Sequence, residues 1–175
     1  MIQDATLQWP EAKQLRRHAA LVGGIALLVC LVGGFADPER LFRSYLFAYV
    51  YWAGIAIGSL AIIMLHHLSG GGWGMMIRRL LEAATRTLPL VAVLFLPVVL
   101  GMKPLYEWAR PEVVEADKIL QFKAPYLNVP FFLLRTLFYF SCWIGLAHFL
   151  NRWSRRQDET GDPALADKME TLSGP

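Results

Sequence analysis

The residues able to do chemistry in this chain are few: four histidines, one arginine inside an apolar run, a carboxylate among arginines, and two cysteines. Histidine titrates near neutrality, so it can relay protons or ligate a metal. His18, His66, His67 and His148 all fall near the ends of apolar runs, at one membrane level in the topology argued below. Three uses are open to them: a proton-entry or quinone-related cluster, a bis-histidine b-type haem, or simple anchoring of helix ends. The haem would join the second and fourth helices through His66 or His67 with His148. It is the weakest of the three, because cofactor-holding bundles usually place ligands deeper. Arg135 is the only formal charge well inside a candidate span, about eight residues or roughly 12 Å from Leu127 along a helix axis. Such a charge costs about 2.5–3.5 kcal/mol at a bilayer centre, so it either snorkels or faces protein. We expect it to face the bundle, meeting Tyr139 one turn along or a carboxylate such as Glu115 or Asp117. Arg78, Glu82 and Arg86 stand at successive i,i+4 positions and predict a self-compensating ladder on an exposed face, each pair worth about 0.2–0.5 kcal/mol. A Glu82 buried and unpaired with either arginine would instead point to a functional role. Cys30 and Cys142 lie inside apolar runs with no CxxC or CxxCH spacing, so no iron–sulfur cluster or c-type haem is encoded. No residue is therefore assigned as catalytic, cofactor-binding or metal-binding. The candidates for proton- or quinone-related roles are His66, His67, His148, Arg135 and Glu82.

The elements that must position these groups follow from composition. Of 175 residues, 55% are hydrophobic and 18% charged, against about 45–50% and about 25% in soluble domains. Mean hydropathy is +0.39. This excludes a soluble enzyme, a disordered linker and a disulfide-stapled module. The net charge of +3 lies beside apolar blocks, where membrane orientation explains it better than nucleic acid.

A spanning helix needs about 20 mostly apolar residues. Residues 19–35 supply about 17, residues 46–65 about 20, and residues 127–150 about 24. Residues 88–102 supply only about 15, but the helical pattern of 75–87 extends that block. The expected fold is an all-α membrane bundle of four transmembrane helices, with an interfacial amphipathic helix between the second and third. Residues 1–18 form an N-terminal tail, 19–153 the transmembrane region, and 154–175 a polar segment resembling a connector. About 18 residues precede the first block and no A-x-A site follows it, unlike a cleaved signal peptide.

Basic residues set the orientation. Lys13, Arg16, Arg17, Arg78, Arg79, Arg86, Arg152, Arg155 and Arg156 fall on one side; Arg40, Arg43, Lys103, Arg110, Lys118 and Lys123 fall on the other. That puts both termini in the cytoplasm. Asp37-Pro38 reads as a capped helix start. Ser69-Gly70-Gly71-Gly72 should end the second span abruptly. Gly54 and Gly58 form a G-x-x-x-G step expected to pack against another helix. Trp52, Trp73, Trp108, Trp143 and Trp153 mostly sit near span ends, as an aromatic belt would.

Several longer strings carry more than composition. Phe42-Arg43-Ser44-Tyr45-Leu46-Phe47-Ala48-Tyr49, Trp52-Ala53-Gly54, Gly58-Ser59-Leu60 and Met64-Leu65-His66-His67-Leu68-Ser69-Gly70-Gly71 come first. Trp73-Gly74, Ile77-Arg78-Arg79, Glu82-Ala83-Ala84, Arg86-Thr87-Leu88-Pro89 and Tyr126-Leu127-Asn128 continue them. Over about residues 40–175 the chain resembles one of the two polysulfide-reductase NrfD-like membrane subunits of bacterial alternative complex III, the kind usually called ActF. Members of that family are about twice as long, with some ten helices, so the resemblance implies an N-terminal part only. It further implies a quinol-oxidising respiratory complex in the bacterial inner membrane, passing electrons to cytochrome c or an oxidase. Other membrane, iron–sulfur and multihaem cytochrome subunits would be its partners, and quinol the substrate of the complex. No cofactor would be bound by this chain, whose role would be structural or proton-conducting. The rival expectations are a b-type haem electron carrier and a non-redox membrane scaffold.

Overall fold

The computed structural model describes residues 10–174, without the side chains of 10–13, 27, 31, 35 and 36. The part of the expected N-terminal tail before residue 10, and the side chain of Lys13, lie outside the described residues. Every regular element among the described residues is helical. Four stretches are long and apolar enough to cross a membrane: Gln14–Gly34, Pro38–Ser69, Met75–Leu100 and Val129–Thr160. The expected all-α class with four helices long and apolar enough to span a membrane is therefore observed.

Helix α1 (Pro10–Ala36) ends against α2 (Pro38–Ser69) at a turn built by local chemistry. The Asp37 carboxylate accepts a hydrogen bond from the Arg40 amide at 3.0 Å, and Pro38 opens the helix where no backbone donor is needed. Gly34 lies so close to Leu41 that a Cβ would strike that side chain. From Ala19 to Gly34 the sequence of α1 carries no charged residue, and Leu21, Val22, Ile25, Leu28 and Val32, which lie on different sides of it, are all exposed. A helix of that kind needs an apolar environment outside the chain.

Helix α2 is the central post. Ala53, Ala56, Leu60 and Ile63 recur every three or four residues and form one buried stripe. They pack with Leu88, Val91, Ala147, Leu150 and Met169. The G-x-x-x-G face does not do this. A Cβ added to Gly54 or Gly58 would meet nothing within 4 Å, so the expectation that this step packs on another helix is corrected for the described residues. The alanines one position before Gly54 and two before Gly58 take that role, because the stripe's rotation around α2 carries the glycines outward.

Gly70 and Gly71 have positive φ of 60° and 79°, a conformation that excludes ordinary side chains and stops α2 where the glycine run predicts. The third span is then not one straight helix. It is α3 (Met75–Thr85), α4 (Leu88–Val93) and α5 (Leu96–Leu100), with Pro89 and Pro97 in the second positions of α4 and α5. A proline nitrogen donates no hydrogen bond and its ring crowds the carbonyl four residues earlier, so each break falls where proline demands it. One carbonyl freed near the second break, that of Leu94, accepts from the Tyr45 hydroxyl on α2 at 2.6 Å.

Short helices α6 (Met102–Leu105), α7 (Pro111–Ala116) and α8 (Lys118–Lys123) cross one end of the bundle. The long α9 (Val129–Thr160) begins at an Asn128 cap that accepts from the Phe131 amide at 2.8 Å. It continues past the polar boundary expected near residue 154. After Gly161, at φ 67°, α10 (Ala164–Ser173) folds back onto α2 and α9. Leu165 and Met169, one turn apart, are buried in that contact. Within the segment expected to be a polar connector, residues 164–173 thus form a docked helix, held by Leu165, Met169 and Leu172.

Candidate functional site

Two polar assemblies occupy opposite ends of α9. Ser154 and Arg135, one in each, are 19 residues apart, or about 28 Å along the helix.

The first joins α3 to α9. Glu82 is 2% exposed. Its carboxylate lies 3.4 Å from Arg78 Nε and 3.0 Å from Arg79 Nη1, and the Ser154 hydroxyl donates to its Oε1. Arg78 Nη2 also reaches Asp158 Oδ1 at 2.5 Å, and Arg79 bonds the other oxygen of the same carboxylate. Two guanidinium groups thus meet two carboxylates, and the cluster is neutral. Asn151 extends it, donating to the Thr85 hydroxyl at 2.9 Å and accepting from Arg86 Nε at 3.3 Å. The local cause is a matching of faces. On α3 the i,i+3 and i,i+4 spacings point Arg78, Arg79 and Glu82 to one side. On α9, Asn151, Ser154 and Asp158 recur at i, i+3 and i+7 and present a polar stripe to it.

The expected exposed ladder is therefore corrected. Glu82 keeps Arg78 as its i,i+4 partner but is buried, and Arg86 turns to Asn151. An open water-facing ladder requires an uncovered helix face, whereas here α9 covers it. Asp158, Ser154 and Asn151 were missed by sequence reasoning. Their spacing at the end of the fourth apolar run was the signal available.

Beside this cluster lies a cavity of about 170 Å³ lined by Arg86, His148, Asn151 and Arg155. His148 is placed here, with its ring edge-on to Phe149. His66 has other surroundings. It is 9% exposed, stands edge-on to Trp73 at 5.4 Å between centroids, and its Nδ1 has no hydrogen-bond partner. His67 is its neighbour at 5.6 Å. Gly74 is obligatory beneath it, since a Cβ there would come within 2.5 Å of the imidazole. His18 is exposed on α1. The four histidines thus form one adjacent pair and two separate residues, not a single cluster.

The second assembly surrounds Arg135. Its guanidinium lies over the Tyr126 ring at 4.1 Å and near the Phe131 ring at 5.4 Å. Its Nη1 is buried without a hydrogen-bond partner, and it makes no ion pair among the described residues. The expected bond to Glu115 or Asp117 is not formed. The Asp117 carboxylate is occupied in capping α8, accepting from the Ile119 amide at 2.7 Å, and Glu115 is exposed. Tyr139 does share the arginine's surroundings. Both line a cavity of about 300 Å³ with Tyr49, Tyr106, Phe140 and Trp143. Burial pushes the Tyr106 phenol up from its ordinary value of 10, so near neutrality it is an uncharged donor.

Among the described residues these features define an all-helical architecture with four stretches of membrane-spanning length, a partly buried ionic clamp at one end of α9 and an aromatic cavity with an unpaired cation at the other. No family model matches the chain, and no curated protein matches it.

Proposed function

We propose that this chain is a membrane subunit of a quinol-oxidising respiratory complex, passing electrons onward to cytochrome c or an oxidase through other subunits. Its own role is structural or proton-conducting. The observation that supports this most is Glu82, a carboxylate buried between two candidate spans. At the cytoplasmic edge of the bundle, a buried carboxylate held among charged and hydroxyl partners is a candidate for proton relay as well as for fixing the two helices. Glu82 is linked through Ser154 to α9, and Thr85 and Asn151 lead from its backbone toward Arg86 and the cavity that holds His148. The strings around His66-His67, Arg78-Arg79 and Glu82, which resemble alternative complex III membrane subunits, support the assignment to that kind of complex. In this reading the protein lies in a bacterial inner membrane with both termini and the Gly70–Thr87 segment in the cytoplasm, and Arg110–Lys123 opposite. Its partners are iron–sulfur, multihaem cytochrome and other membrane subunits, and quinol is the substrate of the assembly.

Purification of the tagged chain from native membranes in mild detergent tests this. Co-isolation of a multihaem cytochrome and an iron–sulfur protein, with quinol-driven cytochrome reduction, is the expected outcome. Isolation without redox subunits would overturn it. A Soret band belonging to the chain alone would favour a b-type haem carrier instead.

A further inference from the structure

We propose that the cavity around Arg135 binds an anionic phospholipid, with the phosphate on the guanidinium and part of an acyl chain among the aromatic walls. The argument starts from charge. Arginine stays protonated at any relevant pH, and although Arg135 as a whole is half-buried, the N–H groups that solvent does not reach need an acceptor. Among the described residues Arg135 has no acidic partner, and its Nη1 has no acceptor of any kind. Stacking on Tyr126 offsets part of the charge but provides no acceptor for the N–H groups. A ligand that completes the site must therefore bring negative oxygen.

Position selects the source of that oxygen. Arg135 is the seventh residue of α9, and its side chain reaches back over Tyr126, which precedes the helix. That is the direction of snorkelling toward a membrane surface, and it sets the cation near headgroup depth. The cavity runs from there along α9 to Trp143, about 12 Å further by helical rise. Its other walls include Val50 and Ala53 of α2 and Phe95 between α4 and α5. Val50 is 59% exposed and Tyr139 44% exposed, so the rim opens onto the outer side of the bundle. A cation at one end and an apolar trough leading away from it match an amphiphile with a charged head. The volume of about 300 Å³ lies at the lower end of small-molecule sites and admits part of a chain. A neutral planar carbonyl compound would fill the trough but leave the charge uncompensated.

The test uses the full chain purified in detergent, stripped of lipid, and offered phosphatidylglycerol or phosphatidylcholine before native mass spectrometry. Wild type is expected to retain phosphatidylglycerol at least ten-fold better than phosphatidylcholine. Arg135→Leu should abolish that preference, Arg135→Lys should keep most of it, and the loop variant Lys118→Gln should leave it unchanged. Inorganic phosphate at tens of millimolar should not displace the lipid. Equal retention of both lipids, full displacement by free phosphate, or displacement by a short-chain benzoquinone would each overturn the proposal. Should Arg135→Leu fail to fold, Arg135→Gln and the phosphate competition on wild type carry the test. None of these outcomes depends on co-isolation of redox subunits.

Discussion

The two ends of α9 handle charge withdrawn from solvent in opposite ways: Glu82 is buried and Arg135 half-buried. At the Ser154 end both acids are paired: Glu82 and Asp158 face Arg78 and Arg79, a serine hydroxyl fills a further position on the Glu82 carboxylate, and Arg86 bonds the Asn151 amide oxygen. At the other end Arg135 has aromatic faces and no acid. The first arrangement is complete within one chain, and its natural consequence is to fix α3 against α9. The second is incomplete. An unfinished polar site in an otherwise apolar wall is where a ligand is expected, because the missing acceptor must come from outside the chain.

The contrast can be broken by substitution. The largest effect is expected for Glu82→Leu, which removes the buried carboxylate shared by Arg78 and Arg79 and leaves Ser154 without its acceptor. Removing one member of a buried ion pair typically costs about 3–5 kcal/mol, and thermal denaturation in detergent would register it. A loss below about 1 kcal/mol would mean that the cluster is not holding the two helices. Gly74→Ala comes next, at about 1–3 kcal/mol, because its methyl must displace the buried His66 ring. A wild-type melting curve would show that the ring has room to move. Tyr45→Phe removes only the hydroxyl that serves the Leu94 carbonyl, so about 0.5–1.5 kcal/mol is expected. Arg79→Gln should be smallest, at about 0.2–1 kcal/mol, since the Arg79 side chain is 56% exposed and solvent screens its pairs. If Arg79→Gln matched Glu82→Leu, the exposed arm of the cluster would be as important as the buried one.

What was legible in the sequence was local. The four apolar blocks, the Asp37 cap, the stop at Gly70-Gly71 and the i,i+4 relation of Arg78 to Glu82 all depend on residues within one or two turns of each other. What was not legible depended on pairing across the chain. Asp158 meets Arg78 over a separation of 80 residues, and nothing in either segment names the other. Burial of Glu82 follows from that pairing, so the exposed ladder was the natural local reading and the wrong one. Residues 164–173 look polar because a few spaced residues, Leu165, Met169 and Leu172 with Ser173, carry the docking face. The unpacked Gly54 and Gly58 make the converse point: a small-residue step permits close approach but does not supply the neighbour. The free state of Arg135 was equally hidden, since Glu115 and Asp117 stand at plausible sequence distance, yet Asp117 caps α8 and Glu115 is exposed.

The most direct test compares Glu82→Gln with Arg135→Leu in lipid-stripped protein, melting each with and without added phosphatidylglycerol. Glu82→Gln should lower the melting temperature sharply while the lipid still raises it, as in wild type. Arg135→Leu should melt within about 1 kcal/mol of wild type, since the lost stacking is offset by removal of an unpaired buried donor, and should not respond to the lipid. A collapse of Arg135→Leu as deep as that of Glu82→Gln, with the lipid response intact in whatever remains folded, would contradict the division between a structural end and a binding end.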